Sequence, residues 1–223
     1  MFINRVTVDA AAAPQWALEA SVIDYVAQFD LAFTHPITLI TGGNGVGKST
    51  LLEGIARGWG FNAEGGTWGV GKAGARDALY GAVGLHTGPR AKAGYFLRGE
   101  THTRVTEFGG RSHGESVMEL VSRLIPDALY LLDEPESGLS AVSQMALVAQ
   151  LHELGQRRAQ IIAVTHSPIV LSIPGAEIIE FDEHGARRGI GVEETLAFRA
   201  MRDFLAEPEE IAEYMAEWAE SEI

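Results

Sequence analysis

A glycine-rich segment with a single lysine spans residues 42–50 and has the composition of a phosphate-binding loop. It reads Gly-Gly-Asn-Gly-Val-Gly-Lys-Ser-Thr, which matches the pattern G-x-x-x-x-G-K-[ST]. Glycines let backbone N–H groups surround phosphate oxygens, because a Cβ atom would collide with the ligand. Lys48 is expected to neutralise the β- and γ-phosphates of a nucleotide, and the Ser49 hydroxyl to bind Mg²⁺. The residues predicted to bind the nucleotide here are Gly42, Asn44, Gly45, Val46, Gly47, Lys48, Ser49 and Thr50.

Two adjacent carboxylates follow the apolar run Leu129–Leu132. Asp133 is predicted to hold Mg²⁺, partly through water. Glu134 is predicted to orient or deprotonate a water molecule that attacks the γ-phosphate. Two acids after a strand usually belong to an ordinary polar loop, but the phosphate-binding loop in the same chain favours the catalytic interpretation.

A histidine occupies the same kind of position after a second apolar run. His166 follows Ile161–Val164, with Thr165 between them. Its imidazole could donate a hydrogen bond to the γ-phosphate and so respond to its presence. A single histidine at such a place is more often structural, and the functional interpretation depends on agreement with the other two motifs.

Short apolar runs predict the strands that position these motifs. Most are nearly continuous rather than alternating, which is typical of strands covered on both faces of a sheet. Helical patterns lie between them, so we expect an α/β fold with a mainly parallel sheet flanked by helices. Because such sheets bind ligands at the carboxyl ends of their strands, the three motifs should meet along one edge. The runs are 2–8, 37–41, 129–132, 161–164 and 178–181, and the helical patterns are 49–57, 115–125 and 140–154.

The whole chain, residues 1–223, is predicted to form a single domain with two less regular parts. Residues 58–111 contain many glycines and predict a small lobe of loops and short helices. Residues 193–223 predict an acidic helical tail. An apolar stripe in its second helix is expected to pack on the sheet domain, with a dimer contact as the alternative. The stripe consists of Ile211, Tyr214, Met215 and Trp218.

The composition excludes several classes of protein. The chain has 223 residues, a formal net charge of −13 and no cysteine. The absence of cysteine excludes a disulfide scaffold and a thiolate zinc site, and the acidic excess disfavours a protein whose main task is to coat nucleic acid. No apolar run approaches the roughly 18 residues of a membrane span, and the N-terminus lacks a signal-peptide pattern. We therefore expect a cytoplasmic protein without a membrane partner segment.

These motifs resemble those of ABC-type ATPases, and more narrowly of small stand-alone AAA-family ATP-binding proteins of bacteria and phages. Residues 42–50, including Asn44, resemble the Walker A motif of that family, and residues 129–134 resemble Walker B. Residues 137–140 resemble the D-loop, and residues 165–168 resemble the switch-histidine motif.

The resemblance extends over roughly residues 1–205 and implies a P-loop NTPase fold with ATP and Mg²⁺ as ligands. It implies catalytic roles for Lys48, Glu134 and His166. It also implies that Ser49 and Asp133 hold the metal ion.

Residues 111–116, Arg-Ser-His-Gly-Glu-Ser, stand where the family has its signature, before a predicted helix and ahead of Walker B. By the resemblance, Ser112 and the Gly114 N–H bind the γ-phosphate held by a second copy, so that ATP closes a symmetric homodimer. The alternative is a helix cap, in which Ser112 and Glu115 form a capping box. His113 replaces a glycine of the usual signature, and Glu115 replaces a glutamine.

Two residues expected in the family lack an obvious counterpart. Residues 29–143 contain no glutamine, although the Q-loop glutamine of the family should lie there. Arg98 or Glu100 could replace it. Tyr25 and Phe29 are candidates to stack on adenine, and core packing explains either of them as well.

Three functions are compatible with these observations. The first is Mg²⁺-dependent ATP hydrolysis coupled to ATP-dependent homodimerisation. The second is a slow nucleotide-gated switch that controls a partner effector such as a nuclease or toxin, which the missing glutamine suggests. The third is an SMC-like DNA-repair ATPase, suggested by the basic segment 72–111. The acidic total and the absence of a long coiled-coil arm disfavour the third, so nucleic acid is not the expected partner.

Overall fold

The computed structural model describes residues 1–70, 78–98 and 113–221, in which strands and helices alternate. The strands are β1 (Ile3–Val8), β2 (Leu31–Ala32), β3 (Ile37–Gly42), β4 (Gly66–Thr67), β5 (Val83–Thr87), β6 (Ala93–Leu97), β7 (Ala128–Asp133), β8 (Gln160–Val164), β9 (Glu177–Asp182) and β10 (Gly185–Arg188). The helices are α1 (Gln15–Leu18), α2 (Ser21–Phe29), α3 (Lys48–Trp59), α4 (Ala78–Ala82), α5 (His113–Ser122), α6 (Ala141–Gln156), α7 (Pro168–Leu171), α8 (Leu196–Ala206) and α9 (Pro208–Ser221), with a 3₁₀ turn at Val192–Glu194.

A seven-stranded sheet forms the centre, in the order β10-β9-β3-β8-β7-β6-β4. The five inner strands are parallel, and only β10 and β4 at the edges of this sheet pair antiparallel. The prediction of an α/β fold with a mainly parallel sheet flanked by helices is therefore confirmed. The strands β3, β8 and β7, which end at the three sequence motifs, are neighbours in this order.

Helices cover both faces of this sheet, which explains why its strands are apolar throughout. In β7, Leu129 and Leu131 belong to the core cluster that also contains Leu51 and Leu52 of α3. The intervening Tyr130 and Leu132 belong to a second cluster on the other face, which contains residues of α5 and α6. Since successive side chains of a strand point to opposite faces, two buried faces require a continuous apolar run.

The first apolar run does not join the central sheet. β1 pairs antiparallel with β2 and β5 in a separate three-stranded sheet. Gln160 connects the two sheets, because its buried side chain accepts hydrogen bonds from the backbone N–H groups of Phe2 and Ile3 at 2.7 and 2.8 Å. Its amide nitrogen also donates to the Ile3 carbonyl at 2.8 Å.

The prediction of loops and short helices for residues 58–111 was wrong for part of this segment. β4, β5 and β6 lie within it, and β6 is a parallel strand next to β7 in the central sheet. The β6 sequence, Ala-Gly-Tyr-Phe-Leu, is short and contains a glycine, so its local pattern did not indicate a strand. Its glycine allows close packing, because a Cβ at Gly94 would lie 2.8 Å from the Phe61 ring and 2.9 Å from the Leu129 carbonyl oxygen.

The C-terminal helices form as predicted, but the apolar stripe of α9 does not pack on the sheet domain. Tyr214, Met215 and Trp218 are exposed by 66, 50 and 51%. The start of α8 is attached to the sheet, since the Leu196 N–H donates to Glu180 Oε1 at 2.6 Å and Thr195 is buried. α9 follows after a short connection and contacts α8. Among the described residues, no helix is both long enough and apolar enough to cross a membrane.

Candidate active site

The glycine-rich loop connects β3 to α3 in the geometry that the sequence predicts. Gly42 and Gly47 have φ values of +128 and +96°, which L side chains rarely adopt. A Cβ at Gly42 would lie 1.9 Å from the Phe181 carbonyl oxygen, and one at Gly47 would lie 2.7 Å from the Ala20 Cβ. Both positions therefore require glycine to turn the chain into the first turn of α3.

Lys48, the first residue of α3, is buried within this loop. Its Nζ donates hydrogen bonds to the carbonyl oxygens of Gly42, at 3.1 Å, and Gly43. Burial lowers the pKa of Lys48, while the charges of Glu134 and Asp133 oppose that shift. The ammonium group thus lies between the loop and the two carboxylates that end β7.

Ser49 and Asp133 meet across the sheet edge. The Ser49 hydroxyl donates to Asp133 Oδ1 at 2.8 Å, although the two residues are 84 positions apart in the chain. A hydroxyl beside one carboxylate fits Mg²⁺, which is typically bound by one or two protein oxygens together with water and phosphate oxygens. In the ranges that the structure describes, no cluster of three His, Cys, Asp or Glu side chains offers a complete metal cage.

Glu134 has an unusual backbone conformation at the end of β7. Its φ is +48°, in the left-handed region that is rare for residues other than glycine. The Glu134 N–H donates to the Val164 carbonyl at 2.9 Å, so β8 holds this turn in place. Strained backbone of this kind often occurs at functional sites, where surrounding structure imposes it.

Two adjoining cavities contain the predicted site residues. One, of about 390 Å³, is lined by the loop and by Lys48, Glu134 and His166. The other, of about 360 Å³, is lined by residues that include Asp133, Glu134 and Arg98. They share Ser49, Thr50 and Glu134. The structure thus brings all three motifs to one depression at the carboxyl edge of the sheet.

Most of the loop residues predicted to bind the nucleotide line the first cavity, and two of them contact other parts of the protein. Asn44, Gly45, Gly47, Ser49 and Thr50 line the first cavity. Gly42 packs against Phe181, and the Val46 carbonyl accepts a hydrogen bond from the Val22 N–H at 3.0 Å.

Glu136 determines the position of the segment that contains His166. Its Oε1 accepts hydrogen bonds from the Thr165 hydroxyl at 2.7 Å and from the N–H groups of His166 and Ser167 at 2.8 and 3.1 Å. Burial lowers the pKa of His166, and the charge of Lys48 adds to this effect. Both effects favour the neutral imidazole, and the charges of Glu134 and Glu136 oppose them.

Several residues of this site were not indicated by the motifs. Glu136 is one, although its place two residues after the paired acids was a usable indication. Glu53, which lies outside every motif, also lines the second cavity, together with Ser137 of the predicted D-loop. Trp16, which is 58% exposed, lines a smaller cavity of about 120 Å³ beside Thr50.

Tyr25 and Phe29, the candidates for adenine stacking, lie elsewhere. Their rings pack against each other at 5.1 Å, and Tyr25 packs edge-on against Phe181 at 5.6 Å. Neither lines the two cavities. Core packing therefore explains Tyr25, whereas Phe29 is 67% exposed and packs only against the Tyr25 ring among the aromatic contacts of the described residues.

Part of the predicted signature, including Ser112, lies outside the described residues, whereas Gly114 is in the first turn of α5. Glu100, a candidate to replace the Q-loop glutamine, also lies outside them. The roles of Ser112 and Gly114 toward a second copy stay predictions.

Comparisons with known proteins agree with the motifs. Residues 117–172 match a family model described as "AAA domain, putative AbiEii toxin, Type IV TA system", and residues 23–66 match a second AAA domain model. Among solved structures, the SMC head domain from Thermotoga maritima is 12% identical, with a TM-score of 0.43 and coverage of 84% of this chain and 98% of that one. An ATP-binding cassette of an ABC transporter is 13% identical, with a TM-score of 0.38 and coverage of 96 and 99%.

A curated relative gives the family. The cytochrome c biogenesis ATP-binding export protein CcmA of Zymomonas mobilis is 31% identical over 164 residues, which cover 61% of this chain and 72% of that protein. The match therefore covers more than two thirds of that relative. The P-loop, the paired acids and the histidine also lie together in the fold. The chain therefore belongs to the family of ABC-type ATP-binding proteins.

Proposed function

We propose that this protein binds ATP with Mg²⁺ and hydrolyses it to ADP and phosphate. The observation that supports this most directly is the shared wall of the two cavities, where Ser49 and Glu134 border both. Lys48 lies on the loop side and Asp133 on the other, so a nucleotide between them would meet a cation, metal-binding oxygens and a carboxylate base together.

Each side chain has a distinct role in this reaction. Lys48 and the loop N–H groups hold the β- and γ-phosphates, while Ser49 and Asp133 hold Mg²⁺. When bound, Mg²⁺ neutralises charge on the phosphate oxygens. Glu134 takes a proton from water as the water oxygen bonds to the γ-phosphorus, and ADP leaves with the β–γ bridging oxygen. His166, as the neutral imidazole, can donate one N–H to a γ-phosphate oxygen.

Homodimerisation through ATP is the second part of the proposal. It depends on the resemblance of residues 111–116 to the ABC signature, by which Ser112 and the Gly114 N–H would bind the γ-phosphate held by a second copy. We also propose that the protein is cytoplasmic and that it can control an effector protein.

A slow nucleotide-gated switch is the alternative. It is favoured by one observation, which is that none of the described residues lining the two cavities is a glutamine. Tight ATP binding with very low turnover, which rises when a partner protein is added, would support the switch over the steady hydrolysis of ATP.

The test is phosphate release by the purified protein with ATP and Mg²⁺. Lys48→Ala should weaken nucleotide binding, because it removes the cation inside the loop. Glu134→Gln should keep binding but slow hydrolysis by about 10²–10³-fold, because the amide cannot accept the proton from water.

The matched control is Arg157→Ala, which removes an exposed arginine that pairs with Glu153 on α6, away from the site. It should hydrolyse ATP like the unchanged protein. Equal hydrolysis by Lys48→Ala and the unchanged protein would rule the proposal out.

A further inference from the structure

Arg98 lies next to the candidate metal site, and it is one of the two residues that could replace the glutamine of the family. It follows the last residue of β6, and the pairing of Leu97 with Leu132 puts it level with Asp133 on the adjacent strand. It lines the cavity of about 360 Å³ together with Asp133 and Glu134. A strand that the sequence pattern did not indicate therefore brings a guanidinium group to the phosphate end of the site.

The cavity has an excess of negative charge, which a cation such as Arg98 can offset. Its lining includes the three carboxylates of Glu53, Asp133 and Glu134, and among the described lining residues Arg98 is the one basic side chain. A γ-phosphate that enters adds more negative charge. Ser49 and Asp133 would hold Mg²⁺, which would neutralise part of this charge, and the ammonium of Lys48 lies on the side of the loop. On the side facing β6, the cation is Arg98.

Arg98 has one contact that positions its guanidinium group and a second, weaker contact that a phosphate could replace. Nη1 donates to the Ala63 carbonyl at 3.0 Å, which fixes the plane of the guanidinium. Nη2 lies 3.4 Å from Glu53 Oε2, and both side chains are about one quarter exposed. Ion pairs of that length and exposure are weak. Phosphate oxygens, which accept paired N–H donors from arginine, are the better partner.

We propose that Arg98 is a further catalytic residue of ATP hydrolysis, a role that rests on the proposed function. Its guanidinium exchanges Glu53 for the γ-phosphoryl oxygens while water bonds to phosphorus and the bond to the β–γ bridging oxygen breaks. The water proton goes to Glu134, and ADP keeps the bridging oxygen. Arg98 thus stabilises the charge of the transition state with a cation, where the family uses an uncharged amide.

The experiment compares binding of ATP with binding of ADP and aluminium fluoride, a transition-state mimic, in the presence of Mg²⁺. Arg98→Ala should lower turnover by about 10²–10³-fold. It should weaken binding of the mimic by a similar factor but change ATP affinity by less than about threefold, because the contact forms fully only in the transition state. Arg98→Lys should recover part of the mimic affinity, and Arg98→Gln should not, because the required property is charge.

Arg157→Ala is the control, and thermal unfolding of each variant checks the fold. Should Arg98→Ala fail to fold, Arg98→Lys and Arg98→Gln still decide the question, because both keep a long side chain. Binding of the mimic as tight in Arg98→Gln as in the unchanged protein would overturn the role of Arg98. If Arg98 is dispensable while Lys48→Ala is inactive, only the role of Arg98 is wrong and the proposal of ATP hydrolysis is retained. If the unchanged protein releases no phosphate, the proposed function itself is wrong.

Discussion

At the residue scale, the Glu136 carboxylate holds the backbone around His166 in place. Glu136 Oε1 accepts three hydrogen bonds from residues 165–167. We predict that Glu136→Ala lowers turnover about 10-fold and destabilises the fold by about 1–3 kcal/mol, because it leaves partly buried donors without an acceptor. Phosphate release and urea unfolding measure the two effects.

The matched variant is Glu136→Gln, whose side-chain oxygen can still accept some of these bonds. It should show the smaller loss on both measurements. If Glu136→Ala unfolds and turns over like the unchanged protein, Glu136 does not position His166.

At the scale of elements, the contact between the two sheets depends on Gln160. Gln160 is the first residue of β8 and lies at the opposite end of that strand from His166. Its side chain makes three hydrogen bonds to the backbone of Phe2 and Ile3. We predict that Gln160→Ala destabilises the protein by about 2–4 kcal/mol, because Ile3 is fully buried and its N–H and carbonyl groups would lose their partner. Urea unfolding measures this change.

Nucleotide affinity supplies the second readout for this variant. ATP should bind to folded Gln160→Ala as it binds to the unchanged protein, because the site lies at the other end of the strand. Gln156→Ala, which alters an exposed residue at the end of α6, should change stability by less than about 0.5 kcal/mol. Similar stabilities of the two variants would contradict the role given to Gln160.

At the scale of the whole molecule, the proposed homodimer predicts a change of mass on nucleotide binding. We predict that Glu134→Gln with ATP and Mg²⁺ doubles in mass from 24.0 kDa, because blocked hydrolysis keeps the γ-phosphate between the two subunits. Light scattering measures the mass. Since each chain has a formal charge of −13, added salt should favour the dimer by screening the repulsion.

Two controls separate this dimer from others. Adding Lys48→Ala to Glu134→Gln should leave a monomer, because nucleotide binding is lost. A dimer that forms without ATP and disappears with Trp218→Ser would contradict the prediction and place the contact on the exposed stripe of α9.

The amino-acid sequence by itself determined the phosphate-binding loop, the paired acids, the histidine and the parallel sheet. Each is a local pattern, and the rule that parallel strands end on one edge was enough to bring Lys48, Asp133 and His166 together. Gly42 and Gly47 belong to the same local pattern, and the structure shows that the turn into α3 has no room for a side chain at either position.

Only the tertiary structure decided which distant residues lie together. Glu136 accepts hydrogen bonds from residues 29 to 31 positions away, Gln160 bonds to a backbone 157 positions away, and the pairing of β6 with β7 puts Arg98 level with Asp133. No periodicity specifies such contacts, because they follow from strand order and register. The stripe on α9 shows the same limit, since an apolar face in a sequence indicates a helix but does not say what covers it.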